Sequence, residues 1–182
     1  GKGVDQDYLK AKEYFEKSVE LGNSYALNIL GCLYYNGQGV DQDYLKAKEY
    51  YEKSAELGNS YALNNLGDLY RDGQGVDQDY LKAKEYYEKS AELGNSEALN
   101  NLGILYRDGK GVDQDYLKAK EYFEKSAELG NSEALNNLGN LYRDGEGVDQ
   151  DYLKAKEYYE KSAELGNSNA LNNLGNLYRD GK

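Results

Sequence analysis

Hydrophobic and polar residues follow one another along this chain with the spacing of an α-helix. Between Tyr8 and Leu21, apolar and small side chains recur every three or four residues, and Lys and Glu fill the positions between them. Asp7 stands where an N-cap is expected, and Gly22 stands where a helix is expected to end. The segment therefore predicts an amphipathic helix whose buried side consists of Ala11, Tyr14, Phe15, Ser18, Val19 and Leu21.

A second amphipathic segment begins almost at once and predicts a helix that is capped by Asn23 or Ser24 and runs to about Asn36. Two helices joined by so few residues must lie antiparallel. Gly31 costs about 1 kcal/mol of helix propensity in this position, so we expect it to permit the close approach of another helix. The predicted packing side consists of Ala26, Leu27, Leu30, Gly31, Leu33 and Tyr34, and positions 25, 28, 29, 32, 35 and 36 form the opposite side.

This helix pair is repeated with a period of 36 residues over residues 1–182. Neither helix of a pair can bury its apolar side alone, so the stacking of successive pairs is the route to a core. The sequence therefore predicts an all-α fold, a right-handed α-solenoid of stacked antiparallel helix hairpins, organised as a single repeat array. The near-identical units begin at Gly1, Gly37, Gly73, Gly109 and Gly145.

Three segments of the chain match the tetratricopeptide pattern W-x₂-L-G-x₂-Y…A-x₃-F…P. They are Leu63-x₂-Leu66-Gly67-x₂-Tyr70, then Ala83-x₃-Tyr87, and then Gly94-Asn95 in the place of the proline. With its longer period and its Gly-x-Gly-Val-x-x-Asp-Tyr turn, the chain resembles the Sel-one-like repeat family, a branch of that superfamily. The family repeat starts at the Leu-Gly helix, so the resemblance implies a leading half-repeat, four complete units and a trailing helix.

The resemblance also implies a function. Sel-one-like proteins are commonly adaptors, and in the superfamily the second helix of each repeat lines the concave groove of the superhelix and holds the ligand there. A disulfide-rich branch of the family carries paired cysteines in each repeat, and a single Cys does not match that branch. We therefore expect a scaffold or adaptor that binds a protein or peptide segment.

Composition narrows the chemistry that the chain can support. With 22 Lys and Arg against 33 Asp and Glu, the net charge is −11, and so acidic a chain lacks the basic footprint that nucleic acid or an anionic membrane requires. His is absent and Cys occurs once, which excludes His-based or paired-Cys metal sites and Ser-His-Asp or Cys-His catalysis. We expect no metal, no cofactor, no nucleic-acid or membrane partner, and no enzymatic activity.

The five copies differ mainly on one side of the second helix, which we call the variable face. The charged residues of the first helix, by contrast, remain Lys-Ala-Lys-Glu in every copy. A constant scaffold with a varied face is typical of a binding module, and drift of solvent-exposed residues is the alternative. The variable face consists of Tyr25, Ile29, Cys32, Tyr35, Asn36 and their equivalents in the later copies.

Two residue types on the second helix have both a binding and a structural interpretation. Asn is roughly 0.6 kcal/mol worse than Ala inside a helix, so pairs such as Asn64-Asn65 either hydrogen-bond an extended peptide or bridge neighbouring repeats. Arg71 and its equivalents each precede an Asp, and they either engage the carboxylates of a partner or neutralise that Asp. The candidate ligand-binding residues are Tyr25, Asn28, Cys32, Tyr35, Tyr61, Asn64, Asp68, Arg71, Glu97, Asn100, Ile104, Arg107, Glu133, Asn140 and Arg143.

A second function class stays open at the level of the sequence. The near-identity of the copies favours an engineered or recently duplicated consensus array with a structural role only and no natural ligand. In either case the leading and trailing helices lack one neighbour in the predicted stack, and the trailing helix carries Leu171, Leu174, Leu177 and Tyr178. Exposed apolar ends of this kind favour end-to-end self-association.

Overall fold

A computed structural model describes residues 5–182, so the start of the first predicted unit, at Gly1, lies outside the described residues. Every regular element within the described part is an α-helix, which confirms the predicted all-α class. The helices are α1 (Tyr8–Glu20), α2 (Ser24–Asn36), α3 (Tyr44–Glu56), α4 (Ser60–Asp72), α5 (Tyr80–Glu92), α6 (Ser96–Asp108), α7 (Tyr116–Glu128), α8 (Ser132–Asp144), α9 (Tyr152–Glu164) and α10 (Ser168–Asp180).

Side-chain caps determine where the helices begin, as the sequence predicts. Asp7 Oδ1 accepts a hydrogen bond from the backbone N–H of Lys10 at 2.9 Å. Asn23 Oδ1 accepts one from the backbone N–H of Tyr25 at 3.0 Å, which decides the cap of α2 in favour of Asn23. The same Asp and Asn caps recur at the starts of the later helices, so each copy satisfies its free amides in the same way.

The chain divides into two compact units, unit 1 (Gly1–Gly94) and unit 2 (Asn95–Lys182). In unit 1, α1–α2 and α3–α4 form hairpins, and α2 packs on α3 and α4 on α5. In unit 2, α7–α8 and α9–α10 form hairpins, and α6 packs on α7 and α8 on α9. The predicted stacking of helix hairpins, which defines the α-solenoid class, is therefore confirmed within each unit.

The second helix of each hairpin supplies most of the core. The buried residues of α2 are Ala26, Leu27, Leu30, Gly31, Leu33 and Tyr34, which is the predicted packing side residue for residue. The first helices bury a narrower stripe that consists, in α3, of Ala47, Tyr51 and Ser54.

Two residues of the predicted buried side of α1 are in fact exposed: the side chain of Tyr14 is 62% exposed and that of Leu21 is 89% exposed. Among the described residues Tyr14 has no tyrosine of a preceding second helix stacked on it, as Tyr34 stacks on its equivalent Tyr50. Leu21 was expected to lie on the apolar side of α1. That prediction is wrong because Leu21 is the C-cap residue of α1, with ψ near 8°, and a helical wheel does not describe the direction of a side chain outside the helix. Leu57, its equivalent after α3, is exposed as well.

The mid-helix glycines permit close helix packing, as predicted. A Cβ atom added to Gly67 in α4 would lie 2.6 Å from Cδ1 of Tyr87 in α5, and a Cβ atom on Gly103 in α6 would lie 2.6 Å from Cδ1 of Phe123 in α7. Contacts this short do not occur between real side chains, so only glycine allows each aromatic ring to lie against the backbone.

Each of these helix contacts also contains a serine hydrogen bond and a stack of two tyrosine rings. Ser90 Oγ in α5 donates a hydrogen bond to the backbone carbonyl of Ser60 at 2.7 Å. The rings of Tyr70 and Tyr86 stack with centroids 5.6 Å apart, and Lys82 Nζ lies 4.3 Å from the centroid of Tyr70. The equivalent stacks and serine bonds occur in α6–α7 and α8–α9, so the helix contact is a constant part of the scaffold.

Candidate functional site

The variable face of unit 1 is the most aromatic exposed surface that the second helices present. The Tyr25 side chain in α2 is 61% exposed and the Tyr61 side chain in α4 is 49% exposed, with ring centroids 6.4 Å apart. Tyr35, near the other end of α2, packs edge-on against Tyr44 with centroids 5.4 Å apart. The helix spacing thus brings side chains that are 36 residues apart in sequence onto one surface.

A cleft of about 190 Å³ opens beside Tyr35. Cys32 is half-buried there; its Sγ accepts a hydrogen bond from Tyr51 Oη at 3.5 Å and lies 3.8 Å from Asn65 Nδ2. Burial raises the pKa of Tyr51, and the adjacent Cys32 adds to that rise, so the phenol stays a neutral donor. The residues that line the cleft are Cys32, Tyr35, Asn36, Tyr51, Asn65 and Asp68.

The paired asparagines form bridges between neighbouring second helices. Asn65 Nδ2 in α4 donates to Asn28 Oδ1 in α2 at 3.0 Å. In unit 2, Asn137 Nδ2 in α8 donates to Asn100 Oδ1 in α6 at 2.9 Å, and Asn173 in α10 bonds to Asn136 in the same way. These contacts favour the structural interpretation of the pairs, because each bridge satisfies two amides that would otherwise be costly inside the stack.

This arrangement corrects part of the candidate set. Asn64 and Asn100 were expected to line an open groove, but both side chains are buried. Asn64 Nδ2 lies 3.3 Å from Asp68 Oδ2, and Asn100 Oδ1 is occupied by Asn137. Neither amide is available to a ligand in this conformation. Asn28 is half-buried and also accepts its bridge from within the stack.

A further set of contacts links the variable face to the first helix of the next hairpin, and sequence reasoning missed it. Tyr87 Oη in α5 donates to Asp68 Oδ1 in α4 at 2.7 Å, and Tyr159 Oη in α9 donates to Asn140 Oδ1 in α8 at 2.8 Å. Burial raises the pKa of Tyr159 to about 12 and also raises the pKa of Tyr87, with Asp68 as the second cause.

The contact between α6 and α7 breaks this pattern in both partners at once. Ile104 occupies the position of Asp68 and Asn140, and it packs on an apolar cluster that contains Phe123. Phe123 occupies the position of Tyr87 and Tyr159 and has no hydroxyl. A polar residue in the second helix is thus matched with Tyr, and an apolar one with Phe. We call these contacts the matched pairs: Cys32 with Tyr51, Asp68 with Tyr87, Ile104 with Phe123, and Asn140 with Tyr159.

The arginines of the variable face are largely neutralised within the chain. Arg71 forms two hydrogen bonds with the carboxylate of Asp72, at 2.7 and 2.8 Å, and lies 2.9 Å from Asp68 Oδ1. The bond to Asp72 raises the pKa of Arg71. Arg107 and Arg143 likewise bond the Asp that follows each of them, at 2.8 and 2.6 Å. Neutralisation of the neighbouring Asp is therefore the interpretation that these contacts favour.

The variable face of unit 2 is polar where that of unit 1 is aromatic. Glu97 and Glu133 take the positions of Tyr25 and Tyr61, and both are exposed. Arg107 Nη1 also lies 3.4 Å from Asn137 Oδ1. Among residues 5–182 no group of three or more His, Cys, Asp or Glu is placed to hold a metal ion. No helix in that part of the chain is long and apolar enough to cross a bilayer.

Comparison with known families identifies the repeat. The Sel1 repeat model matches residues 1–23, 24–59, 60–95, 96–131, 132–167 and 168–182. The matches follow the expected series of a leading half-repeat, four complete units and a trailing helix. A search of the curated proteins found no match.

Three solved structures are similar to this chain. The crystal structure of a Sel1 repeat protein from Oxalobacter formigenes is 33% identical and has a TM-score of 0.90, with 99% of this chain and 74% of that chain covered. The protective antigen c5321 of uropathogenic Escherichia coli, which displays an SLR fold, is 36% identical with a TM-score of 0.81; all of this chain is covered, but it spans only 39% of the antigen. Helicobacter pylori cysteine rich protein B is 30% identical with a TM-score of 0.56, with 74% of this chain and 97% of that chain covered.

Proposed function

Because the chain belongs to the Sel1 repeat family, we propose that it is a scaffold that binds a protein or peptide segment through the variable face of unit 1. Sel1 repeat proteins are generally protein-interaction scaffolds and are typically non-catalytic. The observation that carries the proposal is the exposed pair Tyr25 and Tyr61, with ring centroids 6.4 Å apart. Nothing in the packing of the helices requires this pair to be aromatic, because unit 2 has Glu97 and Glu133 at the same positions.

Exposed tyrosines on a rigid scaffold are suited to hold a partner. Each provides a large amphipathic contact area at a small cost in side-chain entropy, and central aromatic anchors of interfaces often contribute about 2 kcal/mol or more. Tyr25 and Tyr61 lie on helices whose apolar sides are packed in the core, so the backbone positions of the two residues are fixed before a partner arrives. Such preorganisation lowers the cost of binding.

The neighbouring cleft indicates what kind of partner group is bound. Its volume of about 190 Å³ is smaller than the roughly 300–1,000 Å³ of pockets that enclose small molecules, and it suits a single side chain of a larger ligand. Tyr35 contributes an aromatic wall, and Cys32 and Asn65 contribute weak acceptor and donor groups. We expect an extended or helical segment that places an apolar side chain against Tyr25 and Tyr61 and a second side chain in the cleft.

Charge defines the remaining property of the partner. The net charge of the chain is −11, and Arg71 is engaged by Asp68 and Asp72. A polyanion would therefore find no free cationic surface on α2 and α4, and like-charge repulsion would oppose it. The proposed ligand carries apolar side chains with neutral or mixed charge.

A peptide-display library selected on the purified chain provides the probe for this proposal. For any selected peptide, Tyr25→Ala combined with Tyr61→Ala is expected to weaken binding at least tenfold, about 1.4 kcal/mol. The melting temperature should fall by no more than about 4 °C, since both rings are half-exposed and about 1 kcal/mol shifts a chain of this size by about 2–4 °C.

The matched control is Lys84→Ala combined with Glu88→Ala, which removes an ion pair of 2.6 Å on α5 and leaves the variable face intact. Binding should survive this change. Loss of binding in the control with retention in the tyrosine variant would place the functional surface on the first helices and refute the proposal. If repeated selections give no ligand, the consensus array with a structural role only is the better account.

A further inference from the structure

The cleft beside Tyr35 offers a ligand mainly groups that accept hydrogen bonds. Asn36 Nδ2 donates to the backbone carbonyl of Cys32 at 2.9 Å, and Asn65 Nδ2 donates to Asn28 Oδ1 at 3.0 Å. The Oδ1 atoms of Asn36 and Asn65, by contrast, accept no hydrogen bond from residues 5–182. Both side chains line the cleft, so a group that enters it meets amide oxygens.

The charge around the cleft is negative. No residue of α2 is charged, and α4 has two carboxylates, Asp68 and Asp72, against the guanidinium of Arg71, a net charge of −1. Asp68 lines the cleft and is already bonded by Tyr87 and Arg71, so it acts on a ligand through its charge. Burial raises the pKa of Tyr35, and Asp72 and Asp68 add to that rise, which shows that both carboxylates lie near the aromatic wall of the cleft.

Two positions set this cleft apart from its equivalents on the other second helices. Asp68 is the one carboxylate at its position among the five copies. Tyr35 replaces a residue that is positively charged in every later second helix, where it is Arg71, Arg107, Arg143 and Arg179. An aromatic ring in this place removes the repulsion that an arginine would exert on a cation, and its face attracts one.

We propose that the cleft binds an arginine side chain of the partner segment, an inference that rests on the proposed function of the same surface. A guanidinium has five N–H donors and no acceptor, so it suits a cleft that offers the Oδ1 atoms of Asn36 and Asn65. It is planar, stacks on aromatic rings and is more weakly hydrated than an ammonium, so arginine suits the wall formed by Tyr35 better than lysine does. The bound segment therefore combines an apolar side chain against Tyr25 and Tyr61 with a neighbouring arginine.

Two variants remove these features by means of residues that the chain already has at equivalent positions. Asp68→Asn copies Asn140, which accepts a hydrogen bond from Tyr159 at 2.8 Å, so Tyr87 keeps its acceptor. Tyr35→Arg copies the later second helices and restores a positive charge beside the cleft. We expect the melting temperature of each variant to fall by no more than about 4 °C.

The probes are the peptides selected from the display library on the purified chain, synthesised with acetylated and amidated ends. We expect these peptides to share an arginine. Its replacement by citrulline, which keeps the shape and removes the charge, should weaken binding at least about tenfold, and lysine in its place should weaken it about threefold. In the protein, Tyr35→Arg should weaken binding at least about tenfold and Asp68→Asn about fivefold.

The matched control is Glu88→Gln, which removes one negative charge from α5, where Glu88 pairs with Lys84 at 2.6 Å. It should leave the affinity unchanged, and a loss equal to that of Asp68→Asn would overturn the inference, because overall charge would then account for the effect.

The remaining outcomes separate this inference from the proposed function. Peptides that depend on Tyr25 and Tyr61 but share no arginine, or that tolerate citrulline and Tyr35→Arg, would overturn the inference and leave the proposed function standing. Peptides that bind without Tyr25 and Tyr61, or selections that give no peptide, would overturn both.

Discussion

The contact between α4 and α5 in unit 1 and the contact between α6 and α7 in unit 2 are built from the same parts and differ at one matched pair. In both contacts an aromatic ring packs against a glycine, and two tyrosine rings stack with centroids 5.6 Å apart. In both, a serine Oγ also donates a hydrogen bond of 2.7 Å to a backbone carbonyl. Unit 1 has Asp68 bonded to Tyr87, whereas unit 2 has Ile104 beside the cluster of Phe123.

Variation on the second helix therefore has two origins. At the position of Asp68 and Ile104 the side chain is chosen together with the residue that it meets on the next helix. At the position of Tyr61 and Glu97 the side chain is exposed in both units and meets no comparable requirement. Only the second kind of variation is open to selection by a partner, and it supports the proposed binding surface on α2 and α4.

The greatest loss of stability is expected from adding a methyl group at the glycine against which the aromatic ring packs. Gly67→Ala places a methyl group 2.6 Å from Cδ1 of Tyr87, and overpacking of this kind costs about 1–3 kcal/mol. The ring of Tyr87 is fully buried, so we expect a cost near the upper end of that range. Ala favours the helix by about 1 kcal/mol over Gly, which leaves a net loss of about 2 kcal/mol. Urea unfolding should show that Gly103→Ala lowers the free energy of unfolding as much as Gly67→Ala, because the packing of a ring against glycine is common to both contacts. Unequal losses would show that the matched pair changes how the ring packs on the glycine.

Alkaline pH should distinguish the tyrosine contacts from the phenylalanine contact. The pKa of Tyr159 is raised to about 12 by burial, whereas an unfolded tyrosine titrates near 10. Between these values the unfolded chain releases a proton that the folded chain keeps, so stability is constant below about pH 10 and falls toward pH 12. The expected slope for this residue is about 1.4 kcal/mol per pH unit.

The check is the urea midpoint between about pH 9 and 12 for the unmodified chain and for Tyr159→Phe. The variant should lose less stability across this range, since it lacks one titrating group. Buried Tyr51 and Tyr87 have raised pKa values too, so the decline in the variant is reduced and not abolished. Parallel curves for the two proteins would contradict this assignment.

A smaller effect is expected from the asparagine bridges. Asn137→Ala leaves the buried Oδ1 of Asn100 without its donor at 2.9 Å, which should cost about 1–2 kcal/mol. Asn65→Ala removes the bridge of 3.0 Å to Asn28. Both of these side chains are half-buried, so water can replace the donor, and we expect a loss below about 0.5 kcal/mol. Chemical denaturation of both variants tests the order. A larger loss for Asn65→Ala would show that the bridges do not act through burial.

Much of the fold could be predicted because the chain repeats the same pattern of apolar and polar residues five times. The apolar positions of α2, the Asp and Asn caps and the role of Gly31 all follow from local geometry and agree with the structure. The prediction that Leu21 is buried was wrong because the helical wheel was extended past the end of α1. A helical wheel also describes one helix alone, so it could not show that Asn64 and Asn100 are buried against neighbouring residues of the stack.

The matched pairs left a signal in the sequence that a comparison of the copies could have found. Tyr changes to Phe at position 123, and the second helix before it is the one that carries Ile104 in place of Asp, Asn or Cys. The 19-residue separation of these partners does not correspond to any period of a single helix. Only the packing of α6 on α7 brings the two positions together.

A double-mutant cycle at Ile104 and Phe123 measures whether these two positions are energetically coupled. Ile104→Asp alone places a carboxylate against an apolar ring and should destabilise by about 1–3 kcal/mol. Phe123→Tyr alone buries a hydroxyl without a partner at a cost of about 1–3 kcal/mol. In the double variant the introduced groups should reproduce the bond between Tyr87 and Asp68, and Arg107 occupies the position equivalent to Arg71. Urea unfolding should therefore show a favourable coupling of about 1–3 kcal/mol. Additivity within about 0.5 kcal/mol would contradict the claim that the two positions are chosen together.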